Sequence, residues 1–339
     1  MNKISVLGID LAKNVFQLHG IDEKGKIILQ KRLSRNKLAE FICNIPPCLI
    51  GMEACGGAHY WARKFESFGH DVKLMSPQYV KPYVKTNKND MNDAEAICEA
   101  VTRPSMRFVP IKTIEQQDIQ AVHRIRSRLM AQRTGLVNQV RGLLAEYGIV
   151  MAQGISRFRT FLPSFIEDDC NNLTPMAKSL FWNLYEQFKY MDEQITLYDD
   201  KIKQLCKESE ICQRLLQVDG VGPLTASALI AAVGDGKIFQ KGRQLSAFLG
   251  LVPRQSSSGG KNILLGISKR GNVYLRTLLI HGARAVVMRA SSKTTKLSQW
   301  LKDLIQRRGY NKASVALANK NARILWALLT KQTVYQVKA

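Results

Sequence analysis

The chain has 339 residues, and a hydrophobic content of 45% excludes a generally disordered protein. Its 50 Lys and Arg against 27 Asp and Glu give a formal net charge of +23, which favours a polyanionic partner. Much of this charge lies in the last third, where residues Gly236 to Ala339 include 20 Lys and Arg and one acid, Asp303. We expect nucleic acid to be the partner of this region, with a membrane surface or ribosomal RNA as alternatives.

The cysteines indicate neither a zinc site nor a disulfide framework, because their number is odd and no two form a CxxC pair. They are Cys43, Cys48, Cys55, Cys98, Cys170, Cys206 and Cys212. Reduced cytosolic thiols fit best. The N-terminal segment lacks the apolar stretch of a signal peptide, and no apolar run reaches about 18 residues. We therefore expect a soluble cytoplasmic protein without a membrane partner, associated with the nucleoid if DNA is its partner.

Residues 1–112 predict an α/β domain. Segments 4–10, 15–22 and 26–33 are rich in β-branched or apolar residues and predict three strands in a meander. The elements predicted next are a helix over 36–43, a strand over 48–53, a helix from Ala58 to Phe68, a strand from Asp71 to Met75 and a helix from Asn92 to Val101. This order is typical of an RNase H-like (RuvC-like) domain.

Four acids stand at the ends of these predicted elements. Asp10 ends the first strand and Glu53 a later one, while Asp90 and Asp93, three residues apart at a helix start, face the same side. Four gathered carboxylates would repel one another unless cations bind between them, and oxygen ligands suit Mg²⁺ or Mn²⁺. Two such ions could polarise a phosphodiester and stabilise the attacking and leaving oxygens. Taken singly, Asp10 also fits a turn residue and Asp90 a helix N-cap.

Residues 113–212 predict a long antiparallel helical hairpin. Segments 114–147 and 176–210 place apolar residues at helical spacing, and the second follows a heptad seam. Thr174 and Pro175 fit an N-cap followed by proline in the first turn. The connecting segment, with Pro163 and the pair Asp168 and Asp169, reads as a loop. Coiled-coil hairpins often carry oligomer contacts, so we expect a homodimer or homotetramer.

The first of these helices has a basic face. Between Ile119 and Leu144 it contains no acid and five arginines, which are Arg124, Arg126, Arg128, Arg133 and Arg141. One interpretation is a solvated helix face, and the other is a phosphate-contacting surface.

Residues 213–339 predict a mainly α-helical domain. Its opening sets a Gly-Val-Gly-Pro turn before an Ala-rich helix, as in a helix–hairpin–helix motif, and Gly220, Gly222 and the Thr225 hydroxyl are candidate DNA-phosphate contacts. Further candidates for phosphate or RNA contact in this domain are Lys261, Lys269, Arg270, Arg276 and Arg284. The segment GISKRGN predicts a basic turn before a helix that begins at Val273. Trp182, Trp300 and Trp326 are interpreted as packing residues rather than base-stacking ones.

The segment GIDLAKN at residues 8–14 is also typical of the start of actin-like sugar kinases. Those folds need a second glycine-rich phosphate loop on a β-hairpin in the other half. The candidates are residues 219–222, which read as helical, and residues 256–260. Because a basic C-terminal region has no role in a kinase of small sugars, the sequence disfavours this alternative.

Several segments together resemble the DEDD transposases of the insertion sequence one-ten family. They are GIDLAKN, MEACGGAHYW, KTNKNDMNDAEAI, RSRLMAQRTGLVNQVRGLLAEYGI and FLGLVPRQSSSGGKNILLGISKRGNVYLRTLL, and the similarity runs from about residue 4 to residue 330. The segments GGAHYW and EYGI are most similar to the eleven-eleven branch of this family. The resemblance implies a RuvC-like nuclease domain, a coiled-coil hairpin and a C-terminal transposase domain. It also implies an element-encoded guide RNA (a bridge or seeker RNA) that pairs with target and donor DNA.

The resemblance further implies a catalytic serine. Family members carry a Ser before Gly in the motif after a Gly-Leu-x-Pro run, and here that run is Gly250–Pro253 and the Ser-Gly step is Ser258-Gly259. Ser258 would attack DNA to leave a covalent phosphoserine link that keeps the bond energy for rejoining. Without the resemblance, residues 256–260 read as a flexible loop, and Ser257 is the alternative nucleophile.

The sequence therefore predicts a transposase that cuts and joins element ends and target DNA with Mg²⁺ or Mn²⁺ and a guide RNA. The alternative is a RuvC-like endonuclease in which water attacks and strands are cut without rejoining. A non-catalytic nucleic-acid-binding protein is a third possibility, against which the four acids argue.

Overall fold

The computed structural model describes residues 3–85, 89–168, 173–331, 333 and 335. The chain divides into two compact units, Met1–Thr113 and Ile114–Ala339. The predicted hairpin and the predicted C-terminal domain both fall in the second unit, so the division at residue 212 stays a prediction. Asp169 and Cys170 lie outside the described residues.

The first unit is built on a six-stranded mixed sheet of order β3-β2-β1-β4-β5-β6. Its strands are β1 Val6–Leu11, β2 Val15–Ile21, β3 Ile27–Ser34, β4 Leu49–Glu53, β5 Asp71–Met75 and β6 Phe108–Val109. The meander β1–β2–β3 is antiparallel, whereas β1, β4 and β5 run parallel and β6 is antiparallel to β5. The predicted α/β region with its opening meander is thus confirmed.

The helices of this unit include one short 3-10 turn. They are α1 Arg35–Cys43, α2 Ala58–Ser67, α3 Pro77–Val80, the 3-10 helix Lys81–Tyr83 and α4 Asp90–Val101. The start of α4 is two residues earlier than predicted, because the Asn89 side chain caps it by accepting from the backbone N–H groups of Met91 and Asn92.

Side-chain alternation along β1 separates the two faces of the sheet. Leu7 and Ile9 are fully buried and pack with Phe65 of α2 on one face. Val6, Gly8 and Asp10 share the opposite face, because successive side chains of a strand point to opposite sides. On β4, Gly51 and Glu53 lie on that same face by the same alternation.

Helix α4 lies unusually close to this second face. A Cβ added to Gly8 would lie 2.3 Å from the Ala94 carbonyl oxygen and 2.7 Å from the Cys98 Cβ. A Cβ added to Gly51 would lie 2.8 Å from the Val101 Cβ. Gly8 and Gly51 are direct neighbours in the β1–β4 register. Two adjacent glycines therefore provide the gap into which α4 fits.

The second unit is helical, with one two-stranded sheet among the described residues. Its helices are α5 Ile114–Glu146, α6 Ile155–Glu167, α7 Pro175–Glu208, α8 Glu210–Leu216, α9 Pro223–Val233, α10 Gly242–Phe248, α11 Val273–Met288, α12 Lys296–Arg308 and α13 Tyr310–Lys331. Its strands are β7 Pro253–Ser258 and β8 Lys261–Ile267, which form an antiparallel hairpin. In the described part of the chain, no helix has both the length and the apolar character needed to cross a membrane.

Helices α5 and α7 pack side by side. Arg126 pairs with Asp199 and Arg133 with Asp192, so residue numbers rise along α5 as they fall along α7. The two helices are therefore antiparallel. The predicted N-cap of α7 is confirmed, since the Thr174 side chain accepts from the Ala177 N–H at 3.1 Å.

Within the segment between them, Ile155–Glu167 form a helix, so the prediction of a loop was wrong for the part that contains Pro163. Phe158, Leu162 and Ile166 form a buried stripe on α6 that outweighs the cost of Pro163 inside the helix. Proline deprives the carbonyl four residues earlier, that of Arg159, of its helical donor. The Tyr185 hydroxyl of α7 donates to that oxygen at 3.3 Å, so the break is compensated.

We predict that Gly8→Ala destabilises the first unit, because the added methyl group overlaps the backbone of α4. Overpacking of this kind costs about 1–3 kcal/mol. Thermal unfolding should show a lower Tm, and DNA cleavage should fall as α4 is displaced. Gly56→Ala is the matched control, since nothing lies within 4 Å of a Cβ added there. Equal melting temperatures for the parent and Gly8→Ala would contradict the close packing.

Candidate active site

Three of the four predicted acids come together on the α4 side of the sheet. Asp10 of β1 and Asp90 and Asp93 of α4 each offer a carboxylate oxygen, and these oxygens lie within 4.8 Å of one another. Asp10 is paired with Gln17 inside the β1–β2 ladder, so its interpretation as a turn residue was wrong. Asp90 is the first residue of α4 and Asn89 is the cap, so its interpretation as an N-cap was also wrong.

Glu53 lies at the end of β4, on the strand next to Asp10, but it is not one of the three acids within 4.8 Å. Both Glu53 and Asp10 are close to Cys55. The pKa of the Cys55 thiol is raised, first by burial and then by the negative charges of Glu53 and Asp10. The fourth acid is thus at the rim of the same cluster.

The donor set of this cluster fits a hard divalent cation. Two carboxylates about 4 Å apart repel by roughly 4 kcal/mol near a protein surface. A cation between Asp10, Asp90 and Asp93 would turn that repulsion into attraction, and carboxylate oxygens are the ligands that Mg²⁺ and Mn²⁺ take. The first turn of α4 also tolerates two acids, because the helix N-terminus carries a partial positive charge.

Ser258 lies at the tip of the β7–β8 hairpin. The prediction of a flexible loop over residues 256–260 was wrong, because Gly259 and Gly260 have φ angles of +55° and +77° and close a two-residue turn. Two consecutive residues with positive φ are what a type I′ hairpin needs. Residues 256–260 therefore lie on a β-hairpin, as the second phosphate loop of an actin-like sugar kinase would.

The hairpin presents its serines on different faces. Ser258 is paired with Lys261 across the turn, so their side chains are neighbours on one face. Ser257 faces the other way, where the Gln255 side-chain amide donates to its hydroxyl at 2.8 Å.

Comparison with known proteins decides the family. Residues 7–149 match a DEDD transposase family of the IS110 type, and residues 212–299 match the family described as "Transposase IS116/IS110/IS902 family". The chain is 54% identical over its full length to the transposase for insertion sequence element IS1111A of Coxiella burnetii, covering 93% of that protein. The chain belongs to the IS110 family of transposases.

Other relatives agree. The chain is 49% identical to a probable family 20 transposase of Pseudomonas aeruginosa, over 98% of this chain and 99% of that protein. It is 43% identical to the transposase for insertion sequence element IS1328 of Yersinia enterocolitica, over 99% of each. The chain is accordingly a DNA-cleaving transposase, which confirms the predicted family and excludes a kinase.

Several cations predicted to contact nucleic acid in this transposase have partners inside the protein. Arg126 and Arg133 pair with acids of α7, and Arg141 donates to the carbonyl oxygens of Ala152 and Gly154 at 3.1 and 3.4 Å. These three arginines hold helices and loops together, so their partners within the protein are an alternative to the predicted phosphate contacts. Arg124 and Arg128 are exposed on α5, and their contact with nucleic acid stays a prediction.

Two further predicted contacts are buried. Thr225 is 5% exposed and Arg276 is 8% exposed, so neither can reach an external phosphate. The Arg276 guanidinium instead donates to the carbonyl oxygens of Leu249 and Arg270, both at 3.1 Å. It thereby fixes the basic turn before α11.

The turn before α9 has a packing function that the sequence did not reveal. Gly220 has a φ of +83°, and its carbonyl oxygen would lie 1.8 Å from a Cβ placed on Gly282. Gly220 therefore allows close packing against α11. Gly222 precedes α9 as its N-cap residue, and its phosphate contact stays a prediction. The same holds for the exposed residues Lys261, Lys269, Arg270 and Arg284.

His123 has a structural role that its sequence context did not indicate. It is buried on α5, with Nε2 2.9 Å from the Ser227 hydroxyl of α9 and Nδ1 2.9 Å from the Tyr274 hydroxyl of α11. Ser227 donates to the Pro223 carbonyl oxygen, so its oxygen accepts from Nε2–H and Nδ1 accepts from Tyr274. A neutral imidazole thus joins three helices.

We predict that Asp10→Asn weakens Mn²⁺ binding by about tenfold or more, because one carboxylate of the cluster is lost. Titration of full-length protein, followed by the electron paramagnetic resonance signal of free Mn²⁺, measures the affinity. Glu40→Gln, which removes an exposed acid on α1, is the control and should bind as the parent does. Unchanged binding by Asp10→Asn would show that the cluster does not hold the ion.

We also predict a pH-dependent stability from His123. Burial, with a smaller effect of Arg126, lowers the pKa of His123 from 6.5 to about 4. The unfolded chain binds this proton first, so stability falls as the pH drops below about 6.5, by about 2 kcal/mol at about pH 5.

Urea unfolding at about pH 7.5 and about pH 5 should show this loss in the parent and a smaller one in His123→Gln. His281→Gln, at an exposed histidine of α11, is the control and should keep the parent's pH dependence. Equal pH dependence in parent and His123→Gln would contradict the assignment.

Proposed function

We propose that this transposase cuts and rejoins the DNA strands of an insertion sequence with a composite site of two parts. Asp10, Glu53, Asp90 and Asp93 form the metal-binding part, and Ser258 supplies the nucleophile. The observation that carries the proposal is the convergence of Asp10, Asp90 and Asp93 on one face of the sheet.

The sheet order supports an RNase H-like nuclease domain for the first unit. An antiparallel meander followed by two parallel strands, with one acid next to the last residue of β1 and another at the end of β4, agrees with the arrangement inferred from the sequence. When bound, Mg²⁺ or Mn²⁺ would polarise the scissile phosphate and stabilise its developing charge. The four carboxylates would hold and orient the ions.

The serine step is a phosphoryl exchange that needs no outside energy source. The Ser258 hydroxyl loses its proton as its oxygen bonds to phosphorus, and one P–O bond of the DNA backbone breaks. The departing strand end takes up a proton as a free hydroxyl. Attack of a strand-end hydroxyl on the phosphoserine reverses the step and rejoins DNA.

The hairpin geometry favours Ser258 over Ser257 as the nucleophile. The Lys261 ammonium is its neighbour across the turn, where it can stabilise the negative charge of the phosphate and of the attacking oxygen. Ser257 is already an acceptor for Gln255 on the opposite face.

The recognition of DNA sequence is assigned to an element-encoded guide RNA, on the strength of the family resemblance. The basic C-terminal region, with one acid among 21 charged residues, supports a second nucleic-acid partner. The antiparallel pair α5 and α7 supports a coiled-coil hairpin through which two or four copies assemble.

The alternative function is a RuvC-like endonuclease, because the acid cluster alone would suffice for attack by water. It requires no role for Ser258. The two functions differ in whether a covalent protein–DNA adduct forms.

We predict that Ser258→Ala abolishes the protein–DNA adduct and strand joining, whereas Ser257→Ala keeps both. The assay incubates full-length protein, guide RNA, Mg²⁺ and end-labelled element DNA, and resolves the products on a denaturing gel. Asp10→Asn should abolish both cutting and joining. Loss of the adduct in Ser257→Ala alone would show that Ser257 is the nucleophile. Cutting by the parent protein without any adduct would establish water as the nucleophile.

A further inference from the structure

A groove of about 890 Å³ lies in the second unit between α10, α12 and α13. Trp300 and Trp326 form part of its wall. Cations on both sides line it, namely Lys241, Arg243, Lys320 and Arg323. No acidic side chain is among the described residues that line it. Trp300 and Trp326 were interpreted as packing residues, but packing does not explain why four cations surround them.

The floor of the groove is closely packed. A Cβ added to Gly242 would lie 3.1 Å from the Arg323 backbone and 3.2 Å from the Trp326 ring, so α10 and α13 meet closely there. The Trp326 indole N–H donates to the Phe239 carbonyl oxygen at 2.9 Å, which fixes the ring. Lys320 and Arg323, three residues apart on α13, project from the same side of that helix.

The cations of the groove lack acidic partners. In the part of the chain that the structure describes, none of the four forms an ion pair. The Lys320 ammonium instead lies 4.7 Å from the centroid of the Trp300 ring. This cation–π contact places the ammonium over one face of the half-buried indole, on the charged side of the groove. A polyanion would relieve the mutual repulsion of the four charges.

We infer that this groove binds single-stranded DNA. Sites for single strands combine a positively charged groove, which follows the phosphates, with aromatic rings on which bases stack. A duplex keeps its base faces covered and could not use the Trp300 face. We take the strand to be DNA rather than RNA because the enzyme cleaves DNA, and strand cleavage exposes single-stranded DNA ends.

In this arrangement a base stacks on Trp300 in the place of the Lys320 ammonium, which moves to a phosphate. Arg243 and Arg323, both exposed, contact neighbouring phosphates from α10 and α13. The inference extends the proposed function, but it depends on neither the metal site nor Ser258. Binding can therefore be measured in a chelator, where failure of the serine mechanism has no effect.

The test is fluorescence anisotropy of full-length protein with a labelled single-stranded oligodeoxynucleotide that cannot self-pair, over a range of salt concentrations. Trp300→Ala should weaken binding by roughly tenfold or more, with an unchanged salt dependence, since a stacked base is lost and no phosphate contact is. The double variant Arg243→Gln with Arg323→Gln should reduce the salt slope by about 1.4, because two phosphate contacts to a single strand are lost.

Matched controls lie outside the groove. Trp182→Ala removes a part-exposed tryptophan of α7, and Arg308→Gln removes an exposed arginine at the end of α12. Both should bind as the parent does. If Trp300→Ala does not fold, the double arginine variant tests the groove instead. Arg243 and Arg323 are both exposed, so replacing them should leave the fold intact.

Parent-like binding by the groove variants would overturn the inference. Equal losses for a duplex of the same sequence would show that stacking is not involved and would also overturn it. Tighter binding of the matching oligoribonucleotide through the same side chains would replace DNA by RNA as the occupant.

Discussion

The close approach of α4 to the central sheet is the contact on which the candidate active site depends. Gly8 and Gly51 are neighbours in the β1–β4 register, and each lacks the Cβ that would collide with α4. Each lies two residues before an acid on the same face of its strand, Asp10 or Glu53. Because these side chains are absent, α4 packs close to the sheet. The first turn of α4 then lies with Asp90 and Asp93 next to Asp10.

Some cations of the second unit make contacts within the protein, whereas others have no acidic partner among the described residues. Arg126 and Arg133 neutralise acids of α7, and the buried Arg276 satisfies two carbonyl oxygens. The cations of the groove at α10 and α13 have no such partners among the described residues. A surplus of charge in the sequence is therefore a guide to nucleic-acid binding only after the internally paired arginines have been identified.

Where prediction succeeded, the signal was local. Alternation along the strands, helical spacing along α5 and α7, and the acids at element ends were visible within short windows. Where it failed, a distant residue supplied what the local pattern lacked. Pro163 is tolerated within α6 because Tyr185 satisfies the carbonyl that it leaves unpaired. The serine segment is a hairpin because β8 pairs with it, and a run of serines and glycines does not show a partner strand.

The sequence by itself determined the order of the main strands and helices of the first unit, the four candidate acids, the serine motif and the basic character of the C-terminal region. The tertiary structure decided which of these residues meet. It gathered Asp10, Asp90 and Asp93, placed Ser258 beside Lys261, buried Thr225 and Arg276, and opened the Trp300 groove. Charge and residue type are written in the sequence, but accessibility and partners depend on which elements pack together, and that is set by contacts between residues far apart in the chain.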